Sequence, residues 1–131
     1  MMEKRFTYPK SEKLKSRVVI EKLFTGGKSV SKYPLRLVYI PLDDADIISS
    51  TQVGVSVSKR YFKKAVDRNY YKRLMREAYR LNKYQLTGAL TKPYAFMLLY
   101  QTKDRLTYDE VYEKTVQLID KFLLQEGLVN P

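Results

Sequence analysis

Apolar side chains recur at intervals of three and four residues in three segments of the chain, and this spacing predicts helices. The first segment begins after Ser16, whose hydroxyl can cap a helix, and ends at Gly26-Gly27. The second begins at Ala65, and the third begins at a capping box of Thr107 and Glu110. The predicted buried residues of the first and third helices are Val19, Ile20, Leu23, Phe24, Val111, Thr115, Leu118, Ile119, Phe122 and Leu123.

Three other segments show the patterns of β-strands. Polar and apolar residues alternate from 28 to 42, with a possible interruption at Pro34, and again from 51 to 58. Residues 94–100 are almost continuously apolar, which is typical of a central strand that is covered on both faces. The resulting order of elements, α-β-β(-β)-α-β-α, predicts an α+β fold in which helices pack on a small sheet.

The size and composition of the chain indicate one folded domain. The 131 residues are 44% hydrophobic and 30% charged, which is enough to bury a single core. We expect that domain at residues 16–126, between a flexible basic N-terminal arm at 1–15 and a C-terminal tail at 127–131. The acidic residues at 43–46 lack the glycine spacing of a calcium loop and predict a hairpin turn instead.

The composition also excludes several kinds of site. The chain has no cysteine and no histidine, which excludes disulfides, thiolate zinc sites and Ser-His or Cys-His nucleophiles. We therefore predict no catalytic residue and no metal ligand in the polypeptide. No apolar run is long enough to cross a bilayer, and the N-terminus has no apolar core like that of a signal peptide, so the predicted location is cytoplasmic.

Most of the positive charge lies in one stretch. The formal net charge is +11, and residues 59–83 contribute +8 of it from ten basic and two acidic residues. A helical wheel predicts that Val66, Tyr70, Leu74, Ala78 and Leu81 form the buried side of the second helix. The opposite side and the loop before it form a predicted RNA-binding surface, the basic ridge, which consists of Lys59, Arg60, Lys63, Lys64, Arg68, Asn69, Lys72, Arg73, Arg76 and Arg80.

Charge alone leaves several interpretations of the basic ridge open. Like charges at helical spacing repel, so a ridge of one sign favours a polyanionic partner over a merely solvated face. A membrane surface fits less well because the apolar side of the helix has no bulky hydrophobic wedge. A DNA-binding regulator lacks the preceding helix of a helix-turn-helix motif, since a strand comes before Ala65. A purely structural RNA-binding protein remains an alternative to a role in RNA cleavage.

The segments VGVSVSKR, at 53–60, and KKAVDRNYYKRLMREAYR, at 63–80, resemble the signature of the bacterial ribonuclease P protein family. The upstream segment 14–30 is similar to the first helix of that family and the turn after it. Tyr70 stands where the family has an arginine, on the predicted buried flank of the helix. The residues that match the helix signature are Ala65, Val66, Arg68, Asn69, Lys72, Arg73, Arg76 and Glu77.

This resemblance implies a fold, a reaction and a set of partners. The fold would be a two-layer α/β sandwich of the kind found in the second domain of ribosomal protein S5, with a left-handed βαβ crossover through the basic helix. The protein would be a subunit of the ribonucleoprotein endonuclease that removes the 5′ leader from precursor tRNA. Its partners would be the catalytic ribonuclease P RNA and precursor tRNA, without a membrane or DNA. The reaction would use Mg²⁺ held mainly by the RNA.

The resemblance also assigns roles to individual residues. The basic ridge would contact the catalytic RNA. A cleft between the first helix and the sheet would bind the leader of the substrate. The residues that the resemblance places in this cleft are Ile20, Phe24, Tyr39, Ser56 and Ser58.

Overall fold

The computed structural model of the protein describes residues 13–42 and 51–128. Three predictions therefore concern segments outside the described residues. They are most of the N-terminal arm, the acidic hairpin turn at 43–46 and the last three residues of the C-terminal tail.

Three helices and a four-stranded sheet make up the described part of the chain. The sheet has the strand order β1-β2-β4-β3, in which β4 pairs antiparallel with β2 and parallel with β3. A turn at Tyr33 and Pro34 divides the first predicted strand in two, so the interruption at Pro34 is confirmed. The elements are α1 (Arg17–Gly26), β1 (Lys28–Lys32), β2 (Leu35–Pro41), β3 (Gln52–Val57), α2 (Ala65–Thr87), β4 (Tyr94–Tyr100) and α3 (Tyr108–Gln125).

The sheet carries a hydrophobic core on each face. α2 and α3 cover one face, where the larger core joins Met75 of α2 to Phe96 of β4 and Phe122 of α3. α1 covers part of the other face, where a smaller core joins Leu23 to Met97. The α+β prediction is confirmed, and its two main layers are the sheet and the α2–α3 pair. The parallel strands β3 and β4 are connected through α2, and the hand of that crossover stays a prediction.

The helices α1 and α3 begin at the capping residues that the sequence predicted. The Ser16 hydroxyl accepts a hydrogen bond from the Val19 amide at 3.3 Å and so caps α1. Thr107 and Glu110 each accept a hydrogen bond from the other's backbone amide, which completes the capping box of α3. The predicted stripe of α3 is buried throughout, whereas in α1 only Val19 and Leu23 are.

The buried face of α2 is rotated from the one predicted. Ala78 is buried as predicted and Leu74 is partly buried, but the other three assignments are wrong. Val66 is 71% exposed, Tyr70 is 50% exposed, and Leu81 is also exposed. The side that carries Tyr71 is buried instead, because the Tyr71 ring packs on Phe62 of the preceding loop and on Tyr100 of β4, each at a ring-centroid distance of 4.8 Å. The buried residues of α2 are Tyr71, Met75, Ala78, Tyr79, Lys83 and Leu86.

The folded part begins earlier than residue 16. The Leu14 amide donates a hydrogen bond to the Val53 carbonyl at 3.1 Å, and the Leu14 side chain is buried in the smaller core. Residues that the sequence assigned to the arm therefore lie along the outer edge of β3. At the other end, the Leu128 amide donates to the Leu123 carbonyl at 2.8 Å, which fixes the chain just beyond α3.

Candidate nucleic-acid interface

The loop that leads into α2 is held in a defined conformation. The Ser58 carbonyl accepts hydrogen bonds from the amides of Tyr61 and Phe62, and the Ser58 hydroxyl accepts one from the Arg60 amide at 3.0 Å. The Phe62 side chain is buried against Tyr71 and Tyr100. Because the apolar anchor points inward, the charged side chains of the loop point outward. The exposed residues are Lys59, Arg60, Lys63 and Lys64.

Arg68 holds this loop instead of projecting with the exposed cations. Its Nη1 atom donates to the Phe62 carbonyl at 2.9 Å and to the Lys63 carbonyl at 2.8 Å. The guanidinium therefore connects the first turn of α2 to the end of the loop. This position follows from the rotation of α2, which brings Arg68 close to the buried side.

The remaining members of the basic ridge divide into exposed and paired residues. Asn69, Arg73 and Arg76 are exposed, and Lys72 is half-buried. Arg80 donates two hydrogen bonds to Glu77, at 3.0 Å from Nε and 2.5 Å from Nη2. These bonds hold the pKa of the Glu77 carboxyl below its usual range. The ridge thus contains fewer cations facing solvent than its sequence suggests.

The N-terminus of α2 is strongly electropositive. Lys64 occupies the N-cap position, and no side chain there accepts a hydrogen bond from the first amides of the helix. The acid of the first turn, Asp67, pairs with Arg105 at 3.3 Å. Arg105 also lies over the Phe62 ring, 5.4 Å from its centroid. Arg105 adds a cation from a distant segment that no sequence pattern identified.

A groove of about 450 Å³ lies beside the outer edge of β3. Ile20 of α1 and Arg76 of α2 both line it, so the groove adjoins the basic ridge. Gly54 also lines the groove, and the Met97 and Leu14 side chains pack closely over it, because an added Cβ would come within 3.2 Å of Met97 and 3.3 Å of Leu14. The sequence did not identify most of the lining residues, which are Lys13, Leu14, Lys15, Ile20, Val53, Gly54, Val55, Arg76 and Met97.

Four of the five predicted cleft residues lie on α1 or on β3 and the turn after it. Ile20 lines the groove, and Phe24 is 56% exposed one helical turn further along α1. Ser56 is half-buried two positions after Gly54, and so it shares the Gly54 face of β3. Ser58 is exposed in the turn after β3, where its hydroxyl accepts a hydrogen bond from the Arg60 amide.

Tyr39 does not belong to the cleft, and this prediction is wrong. It is 1% exposed and lies on the opposite face of the sheet, where its ring packs edge-on against Phe122 at 4.6 Å. Its hydroxyl donates to Glu126 at 3.0 Å, and burial raises the pKa of Tyr39 to about 12. Side chains of a strand alternate between faces, so Val38 and Ile40 are the residues of β2 that face α1.

A family model described as Ribonuclease P matches residues 8–123. The chain belongs to the ribonuclease P protein family. A ribonuclease P protein component from Porphyromonas gingivalis strain W83 is 40% identical over 114 residues, which cover 86% of this chain and 82% of the relative. One from Chlorobaculum tepidum is 40% identical over 85 residues, which cover 63% of this chain and 54% of the relative.

Solved structures of ribonuclease P proteins share the fold. The protein from Staphylococcus aureus superposes with a TM-score of 0.70 at 18% identity, covering 85% of this chain and 94% of that one. The protein from Thermotoga maritima gives 0.66 at 24% identity, covering 84% and 96%. Family membership confirms the prediction of a ribonuclease P subunit with a role in tRNA processing.

Neither a metal-binding cluster nor a membrane span is present in the described part of this ribonuclease P protein. Across residues 13–42 and 51–128, no three acidic side chains lie close enough together to hold a metal ion. No helix in the same segments is long and apolar enough to cross a membrane.

Proposed function

We propose that the protein binds the catalytic RNA of ribonuclease P with the basic ridge and holds the 5′ leader of precursor tRNA in the groove beside α1. In this arrangement the polypeptide contributes binding and orientation of the substrate, while the RNA carries out cleavage. Mg²⁺ would be held by the RNA and the substrate, since the described residues offer no suitable cluster. The cytoplasmic location stays a prediction.

The charge at the start of α2 supports RNA as the partner of the basic ridge. Lys63 and Lys64 lie at the positive end of the helix dipole, where cations are unfavourable unless an anion is present. The carboxylate of the first turn, that of Asp67, is already paired with Arg105. Backbone phosphates would supply the missing negative charge, which the positive end of the helix dipole also favours.

The observation that carries the proposal for the leader is the position of Arg76. This residue belongs to the basic ridge and also lines the groove, so an RNA on the ridge would deliver a single strand directly into the groove. Lys13 and Lys15 also line this groove. A cationic channel with apolar side chains such as Ile20 is suited to a single strand, because it pairs with phosphates and contacts bases.

Reconstitution with the ribonuclease P RNA tests this assignment. Arg76→Ala should raise the dissociation constant of precursor tRNA with a leader more than that of mature tRNA, because only the former occupies the groove. Lys92→Ala is a matched control, since it removes an exposed cation beyond the C-terminal end of α2. Equal losses for both tRNAs in the Arg76 variant would show that the groove does not hold the leader.

A further inference from the structure

Tyr70 is an exposed aromatic residue on the helix that carries the basic ridge. Its side chain is 50% accessible, and Val66, one turn earlier on the same side, is also exposed. The Tyr70 ring packs edge-on against the buried Tyr71, with centroids 5.0 Å apart and planes 88° apart. The side chain is therefore held by the core at one edge while much of its surface faces solvent.

The charges around Tyr70 identify the chemistry of a partner. Arg73, which lies three residues after Tyr70 and is its neighbour on the helix surface, is exposed, and the loop lysines lie at the N-terminal end of the helix. The helix α2 contains two acids, and both are paired with arginine: Asp67 with Arg105, and Glu77 with Arg80. An exposed aromatic ring on a helix that carries exposed cations, and whose own carboxylates are already paired, complements nucleic acid, which offers flat bases and phosphates together.

We propose that Tyr70 stacks on an unpaired nucleobase of the RNA that the basic ridge binds. This inference rests on the proposed function and adds to it a contact that is made without charge. Stacking needs only one accessible face of the ring and tolerates any base. The neighbouring arginine, Arg73, would hold the phosphate of the same or the next nucleotide.

Because the chain contains no tryptophan, Tyr70→Trp introduces a single indole at the site. We expect its fluorescence to be quenched when RNA binds, since stacking on a base brings the indole into contact with it. Tyr33→Trp is the matched control, because Tyr33 is 72% exposed on the turn between β1 and β2, outside the ridge. Titration with ribonuclease P RNA alone and with precursor tRNA alone determines which molecule supplies the base. Equal quenching at both positions, or none at position 70, would overturn the inference.

Affinity measurements provide an independent test. Tyr70→Leu keeps an apolar side chain without an aromatic face and should weaken RNA binding roughly 5- to 150-fold, the range of one base–aromatic stack. Tyr70→Phe keeps the ring and should bind within about twofold of the original protein. The slope of log affinity against log salt should be unchanged in both variants, because no charge is removed. A Leu variant that binds as tightly as the Phe variant contradicts stacking.

The two proposals fail in distinguishable ways. The basic ridge is not an RNA interface if the unmodified protein binds neither RNA. The same conclusion follows if neither Arg73→Ala nor Tyr70→Leu changes the affinity for RNA. If Arg73→Ala weakens binding while Tyr70→Leu does not, the ridge binds RNA and only the stacking contact is absent. Circular dichroism, recorded during thermal unfolding of each variant, verifies that the helix is intact.

Discussion

Arg68 and Arg73 belong to the same basic ridge, but the structure predicts different consequences for their removal. Arg68 donates two hydrogen bonds to the carbonyls of Phe62 and Lys63, whereas Arg73 is exposed. Arg68→Ala should therefore destabilise the fold, and Arg73→Ala should leave its stability nearly unchanged. Affinity for RNA should fall in both variants, for different reasons: the loop cations lose their support in the first, and one phosphate contact is lost in the second.

The size of the Arg68 effect follows from its contacts. A hydrogen bond that involves a charged group contributes about 1.5–3 kcal/mol, and partial exposure of Arg68 reduces that through solvent screening. We expect a loss of about 1–3 kcal/mol in the free energy of unfolding for Arg68→Ala. An exposed substitution such as Arg73→Ala should change it by less than about 0.5 kcal/mol.

Equilibrium urea unfolding of the purified protein measures both values. Arg68→Lys is a useful third variant, because it keeps the positive charge but cannot present the planar guanidinium to two carbonyls. Its stability should lie below that of the original protein. Equal stability of the Arg68 and Arg73 alanine variants would refute the role of Arg68 in holding the loop.

Three further outcomes are expected. Met75→Ala should lower the free energy of unfolding by about 2–5 kcal/mol because Met75 is fully buried, while Val66→Ala should change it little. Denaturant unfolding measures both values, and the reverse order would contradict the observed rotation of α2. Phe24→Ala should weaken holoenzyme binding of precursor tRNA with a leader but not of mature tRNA, and equal effects on both would remove Phe24 from the cleft. Burial raises the pKa values of Tyr39 and Tyr100 to about 12, from about 10 when unfolded. The folded state favours the neutral hydroxyls, so their contribution to stability is complete below pH 10 and is lost as the pH rises toward 12. Tyrosinate absorbance should therefore increase together with unfolding. Full ionisation of both residues in a folded protein would contradict this.

Local signals predicted the elements of the fold because they act within a few residues. The capping residues of α1 and α3 and the apolar run of β4 need no information from distant segments. The family signature in β3 and α2 likewise identified the ribonuclease P family, since its residues are adjacent in the chain. These features account for the order of elements and for most of their bounds.

The rotation of α2 could not be predicted because the helix has tyrosine and apolar residues on more than one side. The buried side is selected by contacts between distant segments, as Tyr71 packs on Phe62 of the preceding loop and on Tyr100 of β4. The placement of Tyr39 failed for a related reason, since the alternation of a strand assigns a face only when its register with the neighbouring strands is known. In both cases the missing information is tertiary.

The functions of individual arginines in the ridge were beyond sequence reasoning as well. Arg68 and Arg80 form hydrogen bonds with partners inside the protein, whereas Arg73 and Arg76 are exposed, although all four occupy the same helix. The same guanidinium chemistry serves carbonyl, carboxylate and phosphate acceptors, so residue type cannot distinguish these roles. A loss of RNA affinity in an Arg68 variant therefore reports on the order of the loop before α2, and it identifies a phosphate contact only when stability is unaffected.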